Sequence, residues 1–201
     1  MTDTKDNKKA EIRALLIRTG RELVVRKGAE FLTARKLSEA SGCSVGTIYN
    51  QFANMDNFVI AQNMQTLDDL VLAMRQIVPS QDSYKNLNMY TDVYAGWVLG
   101  NENLWFLLFN FHLHHKGSGL PVAYLRRFVS LANVWKTDFE REVGHFGRKE
   151  KKIFRQVLML AMFSLSSFLA TQQGGKHSRK NICKLLLNCY LAGLKVLRQE
   201  G

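Results

Sequence analysis

The stretch TARKLSEASGCSVGTIYNQF, Thr33 to Phe52, sets two helix starts on either side of a tight turn. Thr33 and Ser44 stand where an N-cap hydroxyl is wanted, and Gly42 can turn the chain between them. Two short helices separated by three or four residues make a helix-turn-helix. On the second of them Ile48 and Phe52 fall four apart and face inward with Leu37, which leaves Ser44, Val45, Thr47, Tyr49, Asn50 and Gln51 to look outward. Gly46 is about 1 kcal/mol worse than alanine in a helix. Its presence makes sense where the backbone must come close to another molecule.

Upstream, Ile12, Leu15, Leu16, Thr19 and Leu23 share one face of a helix from about Lys8 to Lys27, which Gly28 ends. Downstream, Ile60, Met64, Leu67, Val71, Met74 and Val78 recur every three or four residues until Pro79. Further helices are expected at about 82–99, 102–116, 121–144, 149–173 and 178–199, separated by GNEN, KGSG, GHFGR and QGGKHS. With two prolines and almost no alternating runs, the chain reads as an all-α protein of about nine helices.

Composition bounds the function. At 46% apolar and 22% charged residues the 201-residue chain is ordinary for a globular protein, and a net charge of +11 points to a polyanionic partner. That excess does not locate the contact: residues 1–57 hold ten Lys/Arg against seven Asp/Glu, and the remainder holds eighteen against ten. Cys43, Cys183 and Cys189 have no metal-ligand spacing and suit a reduced compartment. No secretory signal opens the sequence, and the run Val157–Ala170 reads as too short and serine-rich to span a bilayer. A cytoplasmic protein without a membrane partner is expected.

From about residue 10 to 60 the sequence resembles the TetR family of bacterial transcriptional regulators. The resemblance rests on the apolar-patterned first helix, Gly28, LTARKLSEASG, CSVGTIYNQF and the NMDNF that opens the fourth helix. It implies a DNA-binding domain over 1–55 and a helical ligand-binding and dimerisation domain over 56–201. It also implies a nucleoid-associated homodimer that binds double-stranded DNA at a palindromic operator, more commonly as a repressor that a small molecule releases. In that setting Thr33, Arg35 and Tyr49 would hold phosphates, with Ser44 and Gly46 at the helix start that approaches the strand. Val45, Thr47, Asn50 and Gln51 would meet base edges. Two departures stand out. Met55 replaces the lysine usual at the start of the fourth helix, and Ser38 replaces a small alanine and adds a hydroxyl that needs a partner.

For the larger domain the aromatic residues Tyr94, Trp97, Trp105, Phe109, Tyr124 and Phe128 are the expected walls of an effector cavity. An apolar or anionic-amphipathic effector would suit it, with Arg126 or Arg127 as the steering cation. The last two helices are apolar on more than one face, so Phe163, Ser167, Leu187, Leu191 and Leu194 are expected at a four-helix interface with a second copy. His112, His114 and His115 lack the i, i+4 spacing that brings two imidazoles to one metal, so neither a metal nor a cofactor is expected. No nucleophile elbow, zinc-protease, phosphate-loop or dinucleotide motif is present, which argues against an enzyme. Two other readings stay open: a ligand-independent architectural or cell-division DNA-binding protein, and an interaction or ligand-carrier protein that has lost its operator.

Overall fold

The computed structural model describes residues 2–115, 119–171 and 176–197, so most of the expected KGSG and QGGKHS connections lies outside the described residues. Ten α-helices and no strand occur among them: α1 (Thr2–Lys27), α2 (Ala34–Ser41), α3 (Val45–Phe52), α4 (Met55–Arg75), α5 (Ser83–Gly100), α6 (Glu102–His114), α7 (Val122–Val134), α8 (Lys136–Glu142), α9 (Arg148–Ala170) and α10 (Lys176–Leu197). A short 3₁₀ turn, Ala29–Phe31, joins α1 to α2. The helices sort into two compact units, Met1–Thr66 with Asn103–Ser118, and Leu67–Glu102 with Gly119–Gly201.

The first unit is built on Leu16, Val24, Leu32, Leu37, Ile48, Phe52, Phe58, Leu104 and Leu107, contributed by α1, α2, α3, α4 and α6. Phe52 and Phe58 meet edge to face with ring centroids 4.8 Å apart. On α1, a Cβ added at Gly20 would lie 2.5 Å from Phe58 Cζ, so α4 approaches α1 at a distance that only glycine permits. A polar seam runs beside this contact. Gln62 Nε2 donates to the Ile17 carbonyl at 2.7 Å, and Arg21 Nη1 donates to Thr66 Oγ1 at 3.1 Å.

The second unit buries Tyr94, Tyr124, Trp135 and Phe139. Its polar interior is bonded in part: Asn86 Nδ2 donates to Asp138 Oδ1 at 2.9 Å and the Tyr94 and Ser166 hydroxyls share a bond of 2.8 Å, while Thr91 Oγ1 and Trp135 Nε1 are buried without a partner among the described residues. The single helix expected over 121–144 is two, α7 and α8, broken at Trp135 with φ −88° and ψ −10°. No glycine or proline marks that break. Trp135 packs edge to face on Tyr94 at 5.6 Å, and the chain bends where that buried indole is seated, so tertiary packing overrides a continuous helical pattern.

Candidate DNA-binding interface

The turn in the first unit is fixed by short-range hydrogen bonds. Thr33 Oγ1 accepts the Lys36 N–H at 3.2 Å to cap α2, and Ser44 Oγ accepts the Thr47 N–H at 3.1 Å to cap α3. Between the caps Gly42 adopts φ +70°, a left-handed conformation that costs other residues about 1 kcal/mol or more. The extra hydroxyl of Ser38 is satisfied: it donates to the Cys43 carbonyl at 2.7 Å and braces the turn from within.

The division of faces expected on α3 is present. Ile48 and Phe52 are buried with Leu37, while Val45, Gly46, Tyr49 and Asn50 are exposed. Tyr49 is 43% exposed, so its phenol is a surface group and not a core one. Thr47 is half-buried and its hydroxyl shares a bond with Ser44 Oγ at 2.9 Å, which leaves Val45 and Asn50 as the least encumbered base-reading candidates. Gln51 is also half-buried, and its Oε1 is shielded from solvent with no partner among the described residues. A Cβ built on Gly46 would come no nearer than 3.7 Å to Ser44 Oγ, so nothing inside the chain requires glycine there.

Charge at the interface is partly held in reserve. Arg35 Nε lies 3.1 Å from Glu39 Oε1, and Lys36 Nζ lies 3.0 Å from Glu39 Oε2. Hydrogen bonds from Lys36 and then Arg35 hold the Glu39 carboxyl below the usual carboxylate range. Exposed pairs of this kind are weak. One residue here escapes sequence reasoning. Arg13 of α1 lies 4.2 Å above the Phe52 ring and donates through Nη1 to the Gln51 carbonyl at 2.8 Å, anchoring the C-terminal end of α3. It occupies a plain polar position on the α1 pattern, and its pairing spans 38 residues.

Residues 16–61 match the sequence profile of the bacterial regulatory proteins of the tetR family. That stretch, which holds the helix-turn-helix, is similar to the TetR-family DNA-binding domain. Over most of its length the chain is similar in fold to solved structures, each under 20% identical to it. A regulator from Streptomyces coelicolor shares 15% identity at a TM-score of 0.70, with 94% of this chain and 82% of that one covered. Thermus thermophilus FadR, a TetR-family repressor in complex with lauroyl-CoA, shares 19% at 0.64, with 87% and 93% covered. RolR in complex with resorcinol shares 16% at 0.62, with 93% and 89% covered. No curated protein matches the sequence.

Within the matched stretch Met55 is half-buried and packs against the hydrophobic core. The position usually held by lysine therefore contributes apolar contact here. Beyond that stretch the expected cavity residues divide: Trp105 and Phe109 belong to the first unit, whereas Tyr94, Trp97, Tyr124 and Phe128 belong to the second. Tyr94 and Tyr124 are fully buried, and Phe128 stacks edge to face between Tyr124 at 5.6 Å and Phe163 at 6.2 Å. Arg127, one of the two expected steering cations, is committed to Asp68 Oδ2 at 2.9 Å and to the Ala123 carbonyl at 2.9 Å. Arg126 is exposed.

The expected dimer residues need correction. Ser167, Leu187, Leu191 and Leu194 are buried within the chain and Phe163 is half-buried against Phe128, so they serve its own core. The outward faces of the same helices carry a different set: Ile153, Val157, Leu160 and Phe168 on α9, and Ile182, Leu185 and Val196 on α10. The reason is geometric. A helix apolar on two faces gives no internal sign of which face meets its own core. α9 is also 23 residues long and apolar enough to cross a membrane by length and composition, a longer run than sequence inspection suggests. Its first turns, however, carry Arg148, Lys149, Glu150, Lys151 and Lys152. At the end of α6, His114 Nδ1 lies 2.9 Å from the Asn110 carbonyl, and His115, just past the helix, stacks on Phe111 at 4.8 Å.

Proposed function

We propose that the protein is a cytoplasmic transcriptional repressor that binds a palindromic operator as a homodimer and lets go when a small molecule occupies its second unit. The observation that carries the DNA-binding part is the split face of α3, with Ile48 and Phe52 buried and Val45, Tyr49 and Asn50 turned to solvent at a capped helix start. Thr33, Arg35 and Tyr49 supply phosphate contacts, and Val45 and Asn50 read bases, with lesser parts for Thr47 and Gln51. Ser44 and Gly46 bring the backbone of the helix start up to the strand.

Dimerisation is supported by the apolar stripes on α9 and α10, where Leu160, Phe168 and Leu185 are each more than half exposed. Burying such residues against a second copy removes apolar surface from water at about 25 cal/mol per Å². A two-fold dimer presents two copies of α3 to half-sites roughly 34 Å apart, one turn of DNA. An effector that favours another spacing would shift the population away from the DNA-bound form. Effector control is supported by two structural neighbours, solved with lauroyl-CoA and with resorcinol. Selection of bound fragments from the source genome, read by sequencing, tests the operator; recovery of no enriched palindrome would overturn this reading.

A further inference from the structure

On the second unit, the end of α4, the middle of α5 and the end of α7 border a solvent-open cavity of about 230 Å³ lined by Met74, Ile77, Tyr90 and Val134, with the exposed Arg75 and Asn133 at its mouth. Drug-sized sites run from roughly 300 to 1,000 Å³, so this one suits a smaller molecule. Its walls divide sharply by chemistry. Met74, Ile77 and Val134 form an apolar side, and the Arg75 guanidinium and the Asn133 amide form the polar one.

Arg75 shares with Arg126 and Arg148 the lack of an ion pair among the described residues, and of the three it is the one that borders this cavity. Arg127, Arg141, Arg155 and Arg179 each lie within 4 Å of a carboxylate, at Asp68, Asp138, Glu140 and Glu102 respectively. Arg75, by contrast, has a single bond from Nη2 to Ser130 Oγ at 3.3 Å and no ion pair among the described residues. The remaining edge of its planar fork is available for a carboxylate, the partner that such a fork matches with two parallel bonds. Asp138, which faces the lining residue Tyr90, is already engaged. Asp138 is buried and bonded by Asn86 Nδ2 at 2.9 Å, with Arg141 Nη1 at 3.7 Å, and it interacts with the Tyr90 phenol, whose pKa is raised by burial and then by that carboxylate.

We infer that this cavity binds a small organic monocarboxylate. The carboxylate sits on the open edge of Arg75 and on the Asn133 amide, and the apolar body lies against Met74, Ile77 and Val134. The inference rests on the effector-responsive reading above and names the chemistry that the effector presents at this cavity. One cation and one neutral amide match a single negative charge; a phosphate dianion would ask for more donors than the walls offer.

The test uses the full-length protein without DNA. Acetate, butyrate, octanoate and benzoate are titrated at constant ionic strength, with the matching amides as uncharged controls, and the melting temperature and calorimetric Kd are read. At least one acid is expected to raise the melting temperature saturably while its amide does not. Arg75→Gln should weaken that acid by about 10- to 100-fold, the range for loss of a charge-assisted bond, and Arg75→Lys should fall between. Failure of all four acids to bind, equal binding of acid and amide, or unchanged affinity in Arg75→Gln overturns the site. Operator release is measured separately on the same samples. Acids that bind through Arg75 without releasing operator leave the site standing and remove the effector reading. Release by other compounds that is indifferent to Arg75→Gln does the reverse.

Discussion

α3 and α10 pose the same problem to a reader of the sequence, namely which side faces in, and they answer it differently. In α3 the apolar pair Ile48 and Phe52 is set against polar neighbours, and both are buried as their spacing demands. In α10 leucines occur on both sides: Leu187, Leu191 and Leu194 are buried while Leu185 is 62% exposed. Polarity contrast, and not apolar content, is what makes a helix face legible. Where contrast is missing, the neighbour across the helix decides, and that neighbour is remote in sequence.

The largest test of this contrast lies in α10 itself. Leu191→Ala removes a buried side chain and should cost about 2–5 kcal/mol of stability. Leu185→Ala should leave the monomer within about 0.5 kcal/mol of the parent and instead weaken association. Thermal melts followed by circular dichroism, paired with light scattering across a dilution series, separate the two. An unstable Leu185→Ala monomer would show that the two faces of α10 are not divided as described.

On α3 the expected effects are on DNA. Asn50→Ala should change the preferred base at one position in each half-site, at about 1–3 kcal/mol of discrimination, whereas Tyr49→Phe should weaken all sequences together. An unaltered selected motif from the Asn50 variant would remove it from base reading. Gly46→Ala separates fold from function more finely. With open space around its built Cβ, alanine should stabilise the free protein by up to about 1 kcal/mol while lowering operator affinity. Affinity equal to the parent would mean that the backbone does not come close to DNA there.

The smallest expected effect belongs to Met55→Lys. The methionine packs at the edge of the core, and a lysine stem can keep part of that contact while its ammonium reaches solvent. Tighter binding with unchanged base preference, and a salt dependence steeper by about one unit, is the expected result. Equal slopes would place this position away from the phosphates.

The helix-turn-helix was readable because its signals are local: the Thr33 and Ser44 caps act three residues away, and Gly42 turns the chain where it stands. Most helix positions followed from apolar spacing for the same reason. What resisted reading depends on distant partners. The break at Trp135 answers to Tyr94, 41 positions earlier by their numbering, and Arg13 reaches Phe52 and Gln51 across a similar interval. The free edge of Arg75 is equally invisible in sequence, because it depends on which other arginines find acids.

Val45 and Asn50 stand exposed on a helix whose inward side is held by Ile48 and Phe52, so the surface proposed to read bases is separate from the side chains that hold the helix in place. Mutations there are nearly neutral for folding. With this arrangement a target preference can change by single steps, each viable as a folded protein, while the packing that delivers the helix stays untouched.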